Sequence, residues 1–251
     1  MTETNTSGII TAAADIVAGA FNALPKRVCN QHKFSDYADY LRENLPAQAE
    51  LDLQREKPLN PAPLVSVAIA CSGASRAAVR STLEALGKQT YANFEVCVVS
   101  ELAQAGLTDY EGIPKFRLVL FNGTAHEQLK AAEKMLNGAY FLQLLPGDLP
   151  APDALHMLVL QTHSNPEAEV VFADEDSVID GIRQNPIFKP DYGRDTLRSF
   201  NSIGRPMLVS KRVHTAVGGF RGSTPAELWA YCIDCASVAK QVIHIARIGL
   251  T

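Results

Sequence analysis

The sequence predicts an α/β fold: a mostly parallel sheet flanked by helices, with an N-terminal helical extension. Three observations predict it. From about Leu64 onward, apolar runs of strand length alternate with amphipathic segments of helix length. Three prolines in six residues, Pro58, Pro61 and Pro63, separate that alternating region from what precedes it. With 251 residues, 47% apolar and 20% charged, the chain can bury a full core and lacks the composition of a disordered one.

Residues 9–24 place Ile9, Ile10, Ala13, Ile16, Val17, Ala20, Phe21 and Leu24 on one helical stripe. Such a stripe is buried on the main domain, on a partner chain or at a membrane surface. Membrane contact would favour basic residues on the polar face, and none occurs before Lys26 and Arg27. Burial on protein is therefore expected, with a protein partner through helix 9–24 as one form of it. Asp15 and Asn22 interrupt the segment, which is shorter than the ~20 residues a membrane span needs. The preceding MTETNTSG has no positive charge, unlike a signal peptide. The expected location is cytoplasmic, including the periphery of the inner membrane.

A second short helix is expected from Ser35 to about Asn44, with Tyr37, Tyr40 and Leu41 on one face. The prolines in ELDLQREKPLNPAPL then forbid a helix and mark a linker. This divides an extension over 1–57 from a core domain over 58–251.

In the core domain LVSVAIA (64–70) is a buried strand, followed by a helix over 75–89 with Ser75 as its N-cap. FEVCVVS (94–100) and KFRLVLF (115–121) are strands, and 125–138 is a helix closed by Gly138. A strand over 139–145, a helix over 151–164 and a strand over 168–173 complete the series. Ligands of such sheets bind beyond the carboxyl ends of the strands. That singles out Ser72, Ser100, Asp148 and Asp174.

Several functions are disfavoured. The net charge is −4 and no run of Lys or Arg exceeds two, which speaks against nucleic acid as a partner. The five cysteines are odd in number in a large chain, so a secreted disulfide framework is not expected. Cys232 and Cys235 form a CxxC without two further ligands at matching spacing, which predicts packed thiols on a helix. No Walker motif or GxGxxG follows the first strand, and no GxSxG elbow occurs. The lack of a Gly-rich phosphate loop also counts against a nucleotidyltransferase.

VVFADEDSVIDG (170–181) poses the sharpest question, because an apolar run empties into Asp174, Glu175 and Asp176. Bunched carboxylates repel one another and are costly to desolvate. A metal, a basic side chain or a polar substrate would offset that cost, and a solvent-facing loop would lower it.

The order PLVSVAIA, LEALGKQTYANFEVCVVSE, AYFLQLLPGDLPAPDAL, VVFADEDSVIDG, IFKPDY, FNSIGRPMLVSKRV and AVGGFRG resembles the family 2 glycosyltransferases over about residues 63–247. It is similar in particular to bacterial enzymes of O-antigen and other cell-surface polysaccharide synthesis. QTYANFE and DEDSVIDG followed by FKPDY are the most specific pieces, and the FSDYADYLREN lead-in is similar too. The resemblance implies a GT-A fold, a nucleoside diphosphate sugar as donor, a glycan or lipid-linked acceptor, a divalent metal (Mn or Mg) and inversion at the anomeric carbon. It implies that Asp174, Glu175 and Asp176 edge the sugar cleft, accepting from sugar hydroxyls or helping to hold a basic side chain such as Lys189.

The departures from the family pattern are equally specific. Where the family places a DxD this chain reads LLPGD, leaving Asp148 as the one carboxylate for the metal, which would be weakly held. The family's paired aspartates after the second strand are here Ser100 and Glu101, which with Ser72 lie near the nucleotide. The family's catalytic Asp follows GGF; the matching place in GGFRGSTPAELW is Pro225, and the nearest substitute base is Glu227. If a helix starts at Pro225, Glu227 is turned by about 200° from that place. Glu227 also suits the alternative of a first-turn acid favoured by the helix dipole. Family members also continue past the position of Thr251, with a tail that closes over the donor. The sequence thus supports a glycosyltransferase, with a GT-A-fold binding or scaffold protein that lost the chemistry as the alternative.

Overall fold

The structure, a computed structural model, describes residues 37–101 and 113–251. The stripe over 9–24 and Cys29 lie outside the described residues. Residues 43–251 form one compact unit, from which 37–42 separate. The described part of the expected helix over 35–44 is helical, as α1 (Tyr37–Asn44).

A helix the prolines were expected to forbid comes next, α2 (Gln48–Glu56). It ends before Pro58, so the proline restriction acts only on the last part of the quoted stretch. Leu51 is buried, and Gln54 Oε1 accepts from Thr90 Oγ1 at 2.6 Å. This helix therefore packs as part of the main unit.

The alternating region runs β1 (Val65–Ala70), α3 (Arg76–Leu86), β2 (Phe94–Ser100), β3 (Phe116–Leu120), α4 (Ala125–Glu133), β4 (Tyr140–Leu144), α5 (Ala154–Ser164) and β5 (Ala168–Ile179). Then follow β6 (Ile182–Ile187), α6 (Arg194–Ser199), β7 (Met207–Ser210), α7 (Lys211–Ala216), α8 (Pro225–Val238) and β8 (Gln241–Leu250). Ser75 caps α3 by accepting from Ala78 N, as expected. Gly138 does not close α4, which ends at Glu133. Its lack of a side chain serves close approach instead: a Cβ there would lie 2.5 Å from Ser66 Oγ.

One sheet holds the strands in the order β3-β2-β1-β4-β7-β5-β6, with β8 along the other side of β5. Four pairings are parallel (β1–β2, β1–β4, β2–β3, β5–β8) and three are antiparallel (β4–β7, β5–β7, β5–β6). The first four strands are the expected parallel series. Alternate residues of β1 feed two cores: Val65, Val67 and Ile69 pack with Leu83, Leu86, Leu155 and Leu158. Ala68 and Ala70 face Leu129, Phe141, Phe172 and Phe220. Burial on both faces is what makes β1 and β2 largely apolar, and among their buried exceptions Ser66 Oγ donates to Glu95 Oε1 at 2.6 Å.

The strand over the acids is longer than expected. β5 runs through Asp174, Glu175 and Asp176 to Ile179 and turns back into β6 through Asp180 and Gly181. Both turn residues have positive φ, 53° and 78°, the two-residue turn that matches strand twist. The acids therefore sit within a hairpin and not in a loop. Among the described residues, no helix is long and apolar enough to cross a membrane.

Candidate functional site at the carboxyl edge of the sheet

Strands β1, β2 and β4 end at one edge of the sheet. β7 runs antiparallel to β4, so the segment leading into it, Gly204-Arg205-Pro206, arrives at that same edge. Strand order reverses between β1 and β4, the place where open α/β sheets bind ligands. Gln128 of α4 organises the β1 side. Its Oε1 accepts from Cys71 N and Ser72 N, both at 2.9 Å, and its Nε2 donates to Phe121 O at 3.2 Å. The exposed Ser72 donates through Oγ to Glu101 Oε1 at 3.2 Å, so two residues expected near the nucleotide meet there. Ser100 ends β2 and is buried, with its carbonyl accepting from Phe121 N at 3.0 Å.

The loop after β4 is tight and anchored. Asp148 Oδ2 accepts from Leu145 N at 2.7 Å, and Gly147 N donates to Thr82 Oγ1 at 2.9 Å. Beyond it, Leu149 and Thr251 exchange two backbone hydrogen bonds at 2.7 and 3.0 Å, fastening the end of β8 over the loop. Asp148 is buried, and Arg205 Nη1 donates to the same Oδ2. Burial raises the Asp148 carboxyl above its ordinary range, and the guanidinium opposes the rise.

Each acid of β5 has a partner. Asp174 Oδ1 accepts from Lys189 N at 2.9 Å and lies 2.7 Å from His244 Nε2. The His244 ring stacks on Phe172, with centroids 4.8 Å apart. Glu175 Oε1 lies 3.8 Å from Lys189 Nζ. Asp176 accepts from Arg183 Nε at 2.8 Å across the hairpin. Lys189 is buried, and Nζ donates to Ala173 O at 2.7 Å and Arg205 O at 2.6 Å. Burial pushes its ammonium down to about 8, against the pull of Glu175 and Asp174. The basic partner named from the sequence is thus in place, and it ties β5 to the segment carrying Arg205.

The N-terminus of α8 stands at the same end of β4, because Gln143 Nε2 donates to Gly222 O at 2.7 Å. Pro225 is the first helical residue, where its missing N–H costs nothing. Glu227 is the third, in a capping box with Thr224. Its Oε2 accepts from Thr224 Oγ1 at 2.7 Å, Thr224 N at 3.0 Å and Ser223 N at 3.2 Å. The Thr224 hydroxyl and these N–H groups hold the carboxyl below its ordinary range.

No family model matches the chain. It is 30% identical over 199 residues to the uncharacterized protein y4gI of Sinorhizobium fredii (strain NBRC 101917 / NGR234), covering 74% of this chain and 22% of that protein. It is 25% identical over 196 residues to the O-antigen biosynthesis protein RfbC of Myxococcus xanthus, covering 74% of this chain and 15% of that protein. The chain therefore spans less than a quarter of the curated relatives it matches. Staphylococcus aureus TarS 1-349 in complex with UDP-GlcNAc superposes with a TM-score of 0.59 at 14% identity, over 74% of this chain and 57% of that one. The fold is that of the GT-A-like glycosyltransferases. The mannosyltransferase PcManGT from Pyrobaculum calidifontis, in complex with GDP-Man and Mn2+, aligns with a TM-score of 0.50 at 17% identity, over 78% of this chain and 60% of that one.

For a GT-A-like chain the metal expected on Asp148 can be tested against the residues present. Asp148 spends Oδ2 on Arg205 and Leu145 N, so an ion there would have to displace or adjoin a guanidinium. No group of three or more His, Cys, Asp or Glu among the described residues could hold a metal. With Oδ2 of Asp148 taken by a guanidinium and a backbone N–H, the residues at this place do not fit a divalent ion. Three residues that sequence reasoning passed over belong to the GT-A-like edge: Arg205, His244 and Gln143. Arg205 stands within the quoted FNSIGRPMLVSKRV, but its partner lies 57 positions away. The CxxC thiols are packed in α8 as expected, Cys232 and Cys235 both buried.

Proposed function

We propose that the chain is the donor-binding domain of a glycosyltransferase, transferring a sugar from a nucleoside diphosphate sugar to a glycan or lipid-linked acceptor in surface polysaccharide synthesis. The observation that supports it is the convergence of Ser72, Glu101, Asp148 and Arg205 at the carboxyl edge, beside the reversal of strand order. Ser72 and Glu101 take the nucleoside, with Ser100 buried beneath them. Asp174 of β5 and Lys189, which follows β6, brace the edge, and Glu175, the least buried of the three acids, is the one placed to meet sugar hydroxyls. TarS with UDP-GlcNAc and the mannosyltransferase with GDP-Man make UDP and GDP sugars the first donors to try.

Transfer requires a group that takes the acceptor hydroxyl's proton. Glu227 would serve as that base, and inversion at the anomeric carbon would follow from direct displacement of the diphosphate. One observation favours a second reading, a binding or scaffold domain that kept the fold and lost the chemistry. Glu227 is held as a capping carboxylate by three donors, and Pro225 stands in the family's base position. Calorimetric titration with UDP- and GDP-sugars, paired with chromatographic detection of released UDP or GDP, separates the two. Binding with turnover supports transfer, binding without turnover supports the second reading, and no binding of any donor overturns transfer and leaves the scaffold form of the second reading.

A further inference from the structure

The tight turn after β4 (145–148) carries one carboxylate, Asp148, and it is already paired with a cation built into the chain. Arg205 is not a loose surface residue. Lys189 Nζ donates to its carbonyl at 2.6 Å, and the next carbonyl, Pro206 O, accepts from Ala173 N at 3.3 Å. Its backbone is fixed to β5 while its side chain remains 24% exposed at the edge. Behind it is a small cavity that it shares with Gln143, Gly204, Tyr231 and Cys232. Gln143 is only 6% exposed, and its Oε1 has no hydrogen-bond partner.

We propose that Arg205 itself supplies the positive charge for the donor's diphosphate, so that nucleotide binding needs no divalent metal. This rests on the donor-site reading above. The guanidinium is a planar fork of five N–H donors matched to two phosphate oxygens, and it cannot lose its charge at working pH. Asp148 uses one arm of that fork and aims the rest. An incoming diphosphate carries more charge than the carboxylate with which it would compete. A divalent ion at this place would instead sit against the guanidinium, where like charges repel. Where the resemblance would place a DxD, this chain has a lone Asp148 with Arg205 on it, and the guanidinium takes the metal's part as the positive charge.

The experiment is calorimetric titration of the full chain with UDP and GDP, in EDTA and in Mn2+. The expected result is an affinity that is the same within about threefold in both conditions, a change too small to count as one hydrogen bond to a charged group. Arg205→Gln should weaken binding about tenfold or more, the loss of one or more charge-assisted hydrogen bonds, and Arg205→Lys should recover part of it. Asp148→Asn, which frees the guanidinium of its competing anion, should tighten binding. Unchanged thermal unfolding of the free Arg205→Lys and Asp148→Asn proteins separates these effects from misfolding. Binding that appears only with Mn2+ and is lost in Asp148→Asn would overturn the proposal while leaving the donor site intact. Binding of neither nucleotide in either condition would overturn the donor-site reading itself.

Discussion

At the start of α8 a single carboxylate oxygen accepts from three donors, and this limits what Glu227 can do. A general base needs a lone pair free to take a proton and a pKa near the working pH. Glu227 has one of its two oxygens engaged and its pKa depressed. Any donor turnover should therefore be slow, and Glu227→Gln should abolish it, measured as released UDP or GDP; turnover unchanged by the substitution would remove Glu227 as the base. Thr224→Ala should cost about 1 kcal/mol in urea unfolding, the loss of a helix cap. A depressed carboxylate stabilises the fold above the unfolded pKa, and this is lost as pH falls through the lower folded value. The Glu227 contribution should thus fade below about pH 4.3 and be absent in Glu227→Gln. Lys189 has the opposite charge and a folded value depressed to about 8. Below pH 8 both folded and unfolded chains hold its proton and the cost of burying the ammonium is fully present. Between about 8 and the unfolded value of about 10.4 only the unfolded chain holds it, so stability from this group rises with pH. Wild type should gain stability relative to Lys189→Met from pH 8 to 10 in unfolding midpoints. The buried thiols titrate in both proteins and cancel in the difference; a constant difference would contradict the assignment.

The β5–β6 hairpin changes the meaning of the acidic stretch. Had β5 ended at Ala173, three carboxylates would have entered a loop. Instead the strand continues, and Asp174 and Asp176 are buried, each with a partner, while Glu175 remains partly open. The signal was present in VIDGIR: a DG pair flanked by apolar residues marks a two-residue hairpin turn. Gly181 has φ 78° and nothing within 4 Å of where a Cβ would stand, so a substitution there meets backbone strain and no clash. Gly181→Ala should cost about 1–2 kcal/mol, the penalty of a left-handed L-residue, read as a lowered urea midpoint. The cap of α8 was similarly legible, since TPAE is a Thr-x-x-Glu box with Pro in the first turn. The helix over ELDLQRE was obscured by the prolines that follow it, which stop a helix but do not prevent one before them.

For the whole molecule the donor reading makes a thermodynamic demand: a ligand that binds only the native state must stabilise it. UDP or GDP at 100 times its dissociation constant should add about 2.7 kcal/mol, which in a chain of this size raises the melting temperature by roughly 5–10 °C. No shift with either nucleotide, at concentrations where titration detects no heat, would remove the donor site. The sequence by itself determined the alternating strands and helices of the sheet's parallel half and the edge to which the proposed donor site is assigned. These rest on local periodicity and on the buried faces of β1 and β2, and Ser72, Ser100 and Asp148 follow from them, whereas Glu101 comes from the family resemblance. Only the tertiary structure decided the partners of those residues. Arg205 reaches Asp148 because β7 enters antiparallel beside β4, and His244 reaches Asp174 because β8 lies along β5. Both contacts join residues 57 or more positions apart, and a one-dimensional pattern carries charge and period but not which strands become neighbours.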